Sequence, residues 1–239
     1  PRPMSWQKQV DDINAKRAMA LEQGGEEAVA RQHSKGNLTI RERIAALVDD
    51  NSFAEHGRGA GGAERDEQGN LTEFTPGNYV VGLSKINGRL AAVGGEDFPV
   101  RGGSPNAAGF RKSVYVEELA LQYRVPLVRM HEGGGGSVTG SSGKGPVGSP
   151  VFEKPRFQTV AQCMETVPVA TAGLGPVAGL PASRLVASHF AVMTENSQVM
   201  IGGPALVERA LGKPITKQEL GGPKVHAKSG VIDAVAKDE

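Results

Sequence analysis

The sequence predicts an α/β fold in which helices cover a largely parallel β-sheet. Apolar runs typical of buried strands alternate with helical patterns along the chain. The strand runs are residues 126–130, 167–171 and 190–193, and the helical patterns are residues 112–123, 152–165 and 178–188. Strands and helices in this order favour parallel strands joined by helical crossovers. Glycine is also enriched, at 33 of 239 residues, about twice the usual share of roughly 7%.

The first fifty residues are predicted to form a helical arm. Residues 4–23 have a polar helical pattern that ends at Gly24-Gly25. Because the apolar stripe of this helix is too thin for a core position, we expect it to pack on a neighbouring subunit. Thr39-Ile40-Arg41-Glu42 has the form of a capping box and predicts a second helix that ends near Asp50.

Residues 51–239 are predicted to form the main domain. The glycine-rich, charged stretch at residues 56–70 is interpreted as an exposed loop. Residues 79–86 and 89–93 flank Asn87-Gly88, a pair that suits the tight turn of a β-hairpin.

Three glycine runs each follow a predicted strand and precede a predicted helix. They are Gly102-Gly103, the run Gly133-Gly134-Gly135-Gly136, and Gly173-Leu-Gly-Pro-Val-Ala-Gly179. In open parallel sheets this edge is where ligands bind. Turns or helix caps would explain any one run by itself, but the three together indicate a ligand edge.

Composition excludes several classes of partner. Lys plus Arg number 27 against 26 Asp plus Glu, so no overall field attracts nucleic acid or a membrane surface. No stretch approaches the ~20 apolar residues of a membrane span.

Cys163 is the single cysteine, which excludes an internal disulfide framework. It favours a reducing compartment, either the cytoplasm or, in a eukaryote, the mitochondrial matrix. In its helical pattern, Cys163 is interpreted as a small buried hydrophobe.

Familiar catalytic and phosphate-binding motifs are absent. Lys144 is followed by Gly145 rather than Ser or Thr, so there is no P-loop. Neither Ser137 nor Ser142 stands at the centre of a Gly-x-Ser-x-Gly nucleophile elbow. No two histidines have the spacing of metal ligands on one helix. His131-Glu132 could be an acid/base pair, but neighbouring strand residues point to opposite faces of the sheet.

The motifs together resemble a known family, the carboxyltransferase β subunits of biotin-dependent acyl-CoA carboxylases, in their N-terminal half. The matching stretches are Arg31-Gln-His-Ser-Lys-Gly-Asn-Leu-Thr-Ile-Arg-Glu-Arg-Ile44, residues 50–55, Glu96-Asp-Phe-Pro-Val-Arg-Gly-Gly-Ser104, the glycine run after Met130, Gly175-Pro-Val-Ala-Gly179, Ile201-Gly-Gly-Pro204, and Glu219-Leu-Gly-Gly-Pro-Lys-Val-His-Ala-Lys-Ser-Gly230. Their order covers nearly the whole chain.

The resemblance implies a crotonase-like fold of ββα units at residues 51–239, binding acyl-CoA. It implies that backbone amides at Gly179 and Leu180 stabilise the thioester enolate. The implied substrate-binding residues are Arg101, Gly102, Gly103, Ser104, Lys112, Gly133, Gly134, Gly135, Gly136 and Ala178. Local cations such as Arg101, Arg111 or Lys112 would meet the CoA phosphates.

The resemblance also implies a cofactor and partners. Carboxybiotin, carried on another domain or protein, would donate the carboxyl group. A second carboxyltransferase half, a biotin carboxylase and a biotin carrier would complete a homo- or hetero-oligomer. Two alternatives use the same residues: a biotin-dependent acyl-CoA decarboxylase subunit and a non-catalytic scaffold subunit.

Two departures from the family pattern bear on the substrate. Leu180 stands where the family usually has a second glycine, which would narrow the acyl pocket while keeping an amide. Glu132 and four glycines replace a Ser-Gly-Gly-Ala-Arg run, so the family's arginine is missing there.

Overall fold

A computed structural model describes residues 5–135 and 157–239. The helices are α1 Gln7–Met19, α2 Glu26–His33, α3 Ile40–Leu47, α4 Ala107–Tyr123, α5 Gln158–Thr166, α6 Leu180–Val186, α7 Pro204–Leu211, α8 Lys217–Gly221 and α9 Pro223–Ser229, with short 3-10 turns at Ala20–Glu22 and Arg101–Gly103. The strands are β1 Ala54–Glu55, β2 Gly61–Arg65, β3 Leu71–Pro76, β4 Tyr79–Ile86, β5 Arg89–Glu96, β6 Leu127–Gly133, β7 Val169–Ala178, β8 Phe190–Thr194, β9 Gln198–Met200 and β10 Ala234–Ala236. None of these helices is long and apolar enough to cross a membrane.

The central sheet is mixed, with its parallel part at the centre. Its strands lie in the order β1-β4-β5-β6-β7-β8-β10, and β9 also pairs with β7. Strands β5 to β8 are parallel neighbours joined through helices, as the alternating pattern predicts. The β4–β5 hairpin is also confirmed, because Asn87 and Gly88 both have the positive φ (50° and 77°) that its turn requires.

Helices cover both faces of the sheet. Helices α4 and α5 bury Val116, Leu119 and Cys163 against strands β4 to β7. On the other face, α3 buries Ile40 and Ile44. The predicted capping box at the start of α3 is present, with Thr39 and Glu42 bonding each other's backbone amides. Cys163 is buried as predicted.

The stretch predicted as an exposed loop contains a strand. Strand β2 pairs antiparallel with β3 in a separate two-stranded sheet, and every residue of β2 is exposed. The strand was missed because both of its faces meet solvent, which removes the apolar alternation that marks a strand. Helix α1 lies beside this hairpin, where Arg65 donates to Asp12 at 2.9 Å, and α1 buries none of its own residues.

Strand β7 continues through the glycine segment that was predicted to be a turn. Pairing with β6 jumps from His131–Gly173 to Gly133–Val177, so β7 bulges between these pairs. A Cβ at Gly175 would lie 2.5 Å from Oε1 of Glu132. The glycines therefore allow close packing within a strand. Because β7 ends at Ala178, helix α6 begins at Leu180 rather than at residue 178.

Candidate functional site

The three predicted glycine runs come together at one edge of the sheet. The amide of Gly134 donates to the carbonyl oxygen of Gly102 at 3.1 Å. A Cβ at Gly103 would lie 2.7 Å from the Cα of Gly133, and a Cβ at Gly135 would lie 2.6 Å from the carbonyl oxygen of Ala178. Backbone therefore packs directly on backbone, with no space for side chains between the segments. Gly136 lies outside the described residues.

Left-handed backbone explains why these positions are glycine. Gly102, Gly103, Gly135 and Gly179 have φ of 63°, 66°, 69° and 67°, a region that residues with a Cβ rarely adopt. Arg101 also has positive φ, at 58°. The site is therefore built from turns whose conformation exposes main-chain groups.

The amides at this edge are not equally available. Gly179, one of the two expected oxyanion donors, donates its N–H to the carbonyl oxygen of Met200 at 3.0 Å, so in this structure its amide is already engaged. Gly103 donates to Val100 at 3.2 Å. Leu180 is the first residue of α6, where an amide has no partner within its helix. Leu180 is thus the better of the two expected donors.

A small cavity of about 40 Å³ opens between the segments. Gly103, Gly135 and Leu180 form part of its wall, and the polar residues Tyr79, Glu96 and Arg184 also line it. Sequence reasoning did not single out these three polar side chains.

A buried ion cluster supports the floor of this cavity. Arg184 Nε and Arg129 Nη1 both donate to Oε1 of Glu117, at 2.8 and 2.9 Å. Thr159 donates to the other carboxylate oxygen. The Arg129 and Glu117 side chains are fully buried, so the cluster fixes α6 and α4 against β6.

His131 and Glu132 face different surroundings, as their neighbouring strand positions predict. His131 Nδ1 lies 3.1 Å from a carboxylate oxygen of Glu96, whereas Glu132 pairs with Arg43 at 2.7 Å. Burial alone would raise the pKa of Glu96, but the charge and hydrogen bond of His131, a backbone hydrogen bond and the charge of Arg184 together hold that pKa below its usual value. Burial raises the pKa of Glu132. The two side chains do not form an acid/base pair.

The expected phosphate-binding cations differ in exposure. Arg101 and Arg111 are exposed, while Ser104 is half-buried. Lys112 is 7% exposed, and burial lowers its pKa to about 8. Its aliphatic stem lies beside Gly57. Of the three expected phosphate contacts, Arg101 and Arg111 are therefore the more accessible to a phosphate in solvent, and Lys112 is the least accessible. Among the described residues, no three His, Cys, Asp or Glu side chains are grouped as a metal site.

Comparison with known proteins identifies relatives of this arrangement. The carboxyl transferase domain family matches residues 31–239. The chain is 33% identical to the methylmalonyl-CoA decarboxylase subunit alpha of Veillonella parvula over 98% of this chain and 45% of the relative. It is 32% identical to a biotin-dependent acetyl-/propionyl-coenzyme A carboxylase beta5 subunit of Mycobacterium tuberculosis, over 95% and 41%.

Solved structures of carboxyltransferases also resemble this chain. The transcarboxylase 12S structure with methylmalonyl-coenzyme A bound matches with a TM-score of 0.79 and 28% identity, covering 98% of this chain and 45% of that one. The predicted crotonase-like α/β fold is confirmed by these carboxyltransferase neighbours. The chain spans a little under half the length of the curated relatives it matches. With the family profile covering most of its residues, the chain belongs to the carboxyl transferase domain family.

Proposed function

We propose that this chain is the acyl-CoA-holding half of a biotin-dependent carboxyltransferase. The observation that carries the proposal is the convergence of Gly103, Gly135 and Gly179 beside the Leu180 amide. Main-chain groups at such an edge can approach a thioester closely because no side chains intervene.

The chemistry needs donors rather than a side-chain nucleophile. Loss of the α-proton places negative charge on the thioester oxygen, and each fixed amide that meets this charge is worth about 3 to 4 kcal/mol. We propose the Leu180 amide for that role, because it is the first amide of α6 and has no partner within that helix. Carboxybiotin, when bound, supplies the carboxyl group and a nitrogen that takes the α-proton.

The proposal extends to the shape of the acyl pocket. Leu180 lines the cavity together with Gly103 and Gly135, where a second glycine would leave more space. We propose that it makes the acyl pocket narrower and more apolar. Arg101 and Arg111 are the proposed contacts of the CoA phosphates.

The assembly is also a proposal. The described residues provide one set of converging glycine segments, and biotin needs a surface facing that set. We therefore propose a second carboxyltransferase half, with a biotin carboxylase and a biotin carrier as further partners. The fully buried thiol of Cys163 fits a reducing compartment, and we propose the cytoplasm.

The direct test is carboxybiotin-dependent incorporation of labelled carbon dioxide into an acyl-CoA. We expect no turnover by the 239-residue chain alone and turnover when a second crotonase-like half is present. Robust turnover by the chain alone would show that the two-half arrangement is wrong. If no acyl-CoA produces heat in calorimetry with both halves present, the chain is a scaffold instead.

A second candidate is the decarboxylase direction, which the Veillonella parvula relative favours. The same amides would stabilise the same enolate as carbon dioxide leaves. Release of labelled carbon dioxide from malonyl-CoA, exceeding the rate of the forward transfer at matched substrate, would support this direction.

A further inference from the structure

Glu132 has a buried carboxylate directly before the glycine run at the ligand edge. Its side chain is fully buried. Three side chains bind this carboxylate: Gln32 Nε2 at 2.6 Å, Asn37 Nδ2 at 3.1 Å and Arg43 Nη2 at 2.7 Å. Carboxylates are almost never fully buried without such partners. All three partners lie within residues 32–43 of the predicted helical arm, so the arm meets the ligand edge at this carboxylate.

The backbone of Glu132 packs on the first glycine segment. A Cβ at Gly103 would lie 2.6 Å from the carbonyl oxygen of Glu132. Two residues after Glu132, the amide of Gly134 donates to the carbonyl oxygen of Gly102 at 3.1 Å. Because the backbones are in direct contact, a shift of Glu132 would move these two glycine segments relative to each other.

The Glu132 side chain also fits against the third glycine segment, in strand β7. A Cβ at Gly175 would lie 2.5 Å from Glu132 Oε1, so glycine leaves room for the carboxylate. Arg43 Nη2 donates to the carbonyl oxygen of Leu174 at 3.2 Å. Arg43 is itself fixed by Glu239, which accepts from its Nε at 2.7 Å and its Nη2 at 2.6 Å. The pair of Arg43 and Glu132 therefore joins the second glycine segment to the third.

The contacts continue from Glu132 to the proposed oxyanion donor. A Cβ at Gly135 would lie 2.6 Å from the carbonyl oxygen of Ala178, and Leu180 opens helix α6 two residues later. We infer that Glu132 and Arg43 are positioning residues, which place the glycine segments and through them the Leu180 amide. Neither residue needs to touch the thioester. The inference rests on the proposed function, because the amide matters to catalysis only if it meets an enolate.

Glu132→Gln tests the inference, because it keeps the shape of the side chain and removes its charge. Carboxyl transfer is measured with the chain and its second half, and kcat is expressed per acyl-CoA site counted by calorimetry. We expect kcat to fall about 10- to 100-fold, since a misplacement of ~1 Å can cost about 100-fold. KM for the acyl-CoA should change less than about threefold, because the donor meets a charge that develops only in the transition state.

Glu55→Gln is the matched control. The Glu55 side chain is also a buried carboxylate, 1% exposed. Among the described residues it accepts hydrogen bonds from Arg41, which lies on α3 like Arg43, and from Arg58. The control should lower the melting temperature about as much as Glu132→Gln and leave kcat per site unchanged. An equal loss of kcat in both variants overturns the inference, and so does a Glu132→Gln variant that loses stability but keeps its kcat per site.

If Glu132→Gln does not fold, Gln32→Met decides instead. It removes one of the three donors to the Glu132 carboxylate. We expect kcat to fall about threefold to tenfold, the usual effect of one hydrogen bond, with KM unchanged. An unchanged kcat overturns the inference.

Hydrogen exchange separates the inference from the proposed function. The backbone amides of residues 99–104 and 127–135 should exchange faster in Glu132→Gln than in Glu55→Gln, because the first change loosens these segments locally. Equal exchange in the two variants overturns the positioning role, even if the wild type is active. If the wild type with its second half neither binds nor carboxylates an acyl-CoA, the proposed function fails, and faster exchange in Glu132→Gln still supports the placement of these segments by Glu132.

Discussion

Gly179 donates its amide to the carbonyl oxygen of Met200 at 3.0 Å, and this bond fixes the end of β7 to β9 immediately before Leu180. Because of this bond, a proline at residue 179 would affect the fold as well as any role of the amide in catalysis. Proline has no N–H and requires φ near −65°, whereas Gly179 has φ of 67°. Gly179→Pro would therefore disturb the fold, and the informative position is the next one.

Leu180→Pro should lower carboxyl transfer by about 100- to 1000-fold, as loss of an oxyanion donor does. The first position of a helix tolerates proline, so the melting temperature should change little. Leu180→Ala keeps the amide and is the control. If the two variants have equal kcat, the Leu180 amide does not stabilise the enolate.

Gly135→Ala should destabilise the site, whereas Gly134→Ala should be tolerated. A Cβ at Gly135 would lie 2.6 Å from the Ala178 carbonyl oxygen at a φ of 69°, while one at Gly134 would lie 3.6 Å from the Gly102 oxygen. Backbone strain of this kind costs about 1 to 3 kcal/mol. Urea unfolding and acyl-CoA titration of both variants measure the effect. If the two variants have equal free energies of unfolding and equal affinities for acyl-CoA, the backbone around Gly135 accommodates a Cβ without strain.

Asp97 should contribute a fall in the free energy of unfolding as pH rises from about 4 to about 6, measured as the difference between the wild type and Asp97→Asn, because burial raises the pKa of Asp97 from 3.8 to about 6. In that window the folded state binds more protons than the unfolded state, so stability is present at low pH and lost as pH rises through the folded pKa. The contribution is roughly 2 to 3 kcal/mol. Asp97→Asn should remove this slope, and Asp50→Asn, at an exposed carboxylate, should retain it. An unchanged slope in Asp97→Asn would assign the effect to other groups.

Deletion of residues 1–23 should reduce the oligomer mass measured by light scattering. Trp6, Val10 and Ile13 of this arm are 65%, 45% and 46% exposed, which suits contact with a neighbouring subunit. Asp12→Asn weakens the arm's contact with its own hairpin and is the control. A deletion variant with unchanged mass would show that the arm does not contribute to assembly.

Local sequence patterns were sufficient to predict the elements whose ends are stabilised by contacts between neighbouring residues. Asn87-Gly88 predicts its hairpin because a left-handed turn favours those residues, and Thr39 and Glu42 predict a helix start by satisfying each other's amides. The ligand edge followed from glycine runs placed after strands. The same reasoning misread residues 173–178, since a glycine needed for close tertiary packing has the same sequence signature as a turn.

The cavity floor could not be predicted because its partners are distant in sequence. Arg184 and Glu117 are 67 residues apart, and Thr159 and Glu117 are 42 apart. A buried arginine within an apolar strand run, such as Arg129, is the one local sign of a paired carboxylate elsewhere. Identifying that carboxylate requires the fold.

The alternating contacts of β6 also bear on how the sheet assembles. His131 faces Glu96 on one side, and Glu132 faces Arg43 on the other. A slip of β6 by one residue would exchange their faces. It would move the Glu132 carboxylate away from Arg43 and towards the face of the sheet where the Glu96 carboxylate lies, and two buried carboxylates on one face would repel each other. The burial of Glu132 beside Arg43 therefore favours the observed register of β6 over a register shifted by one residue.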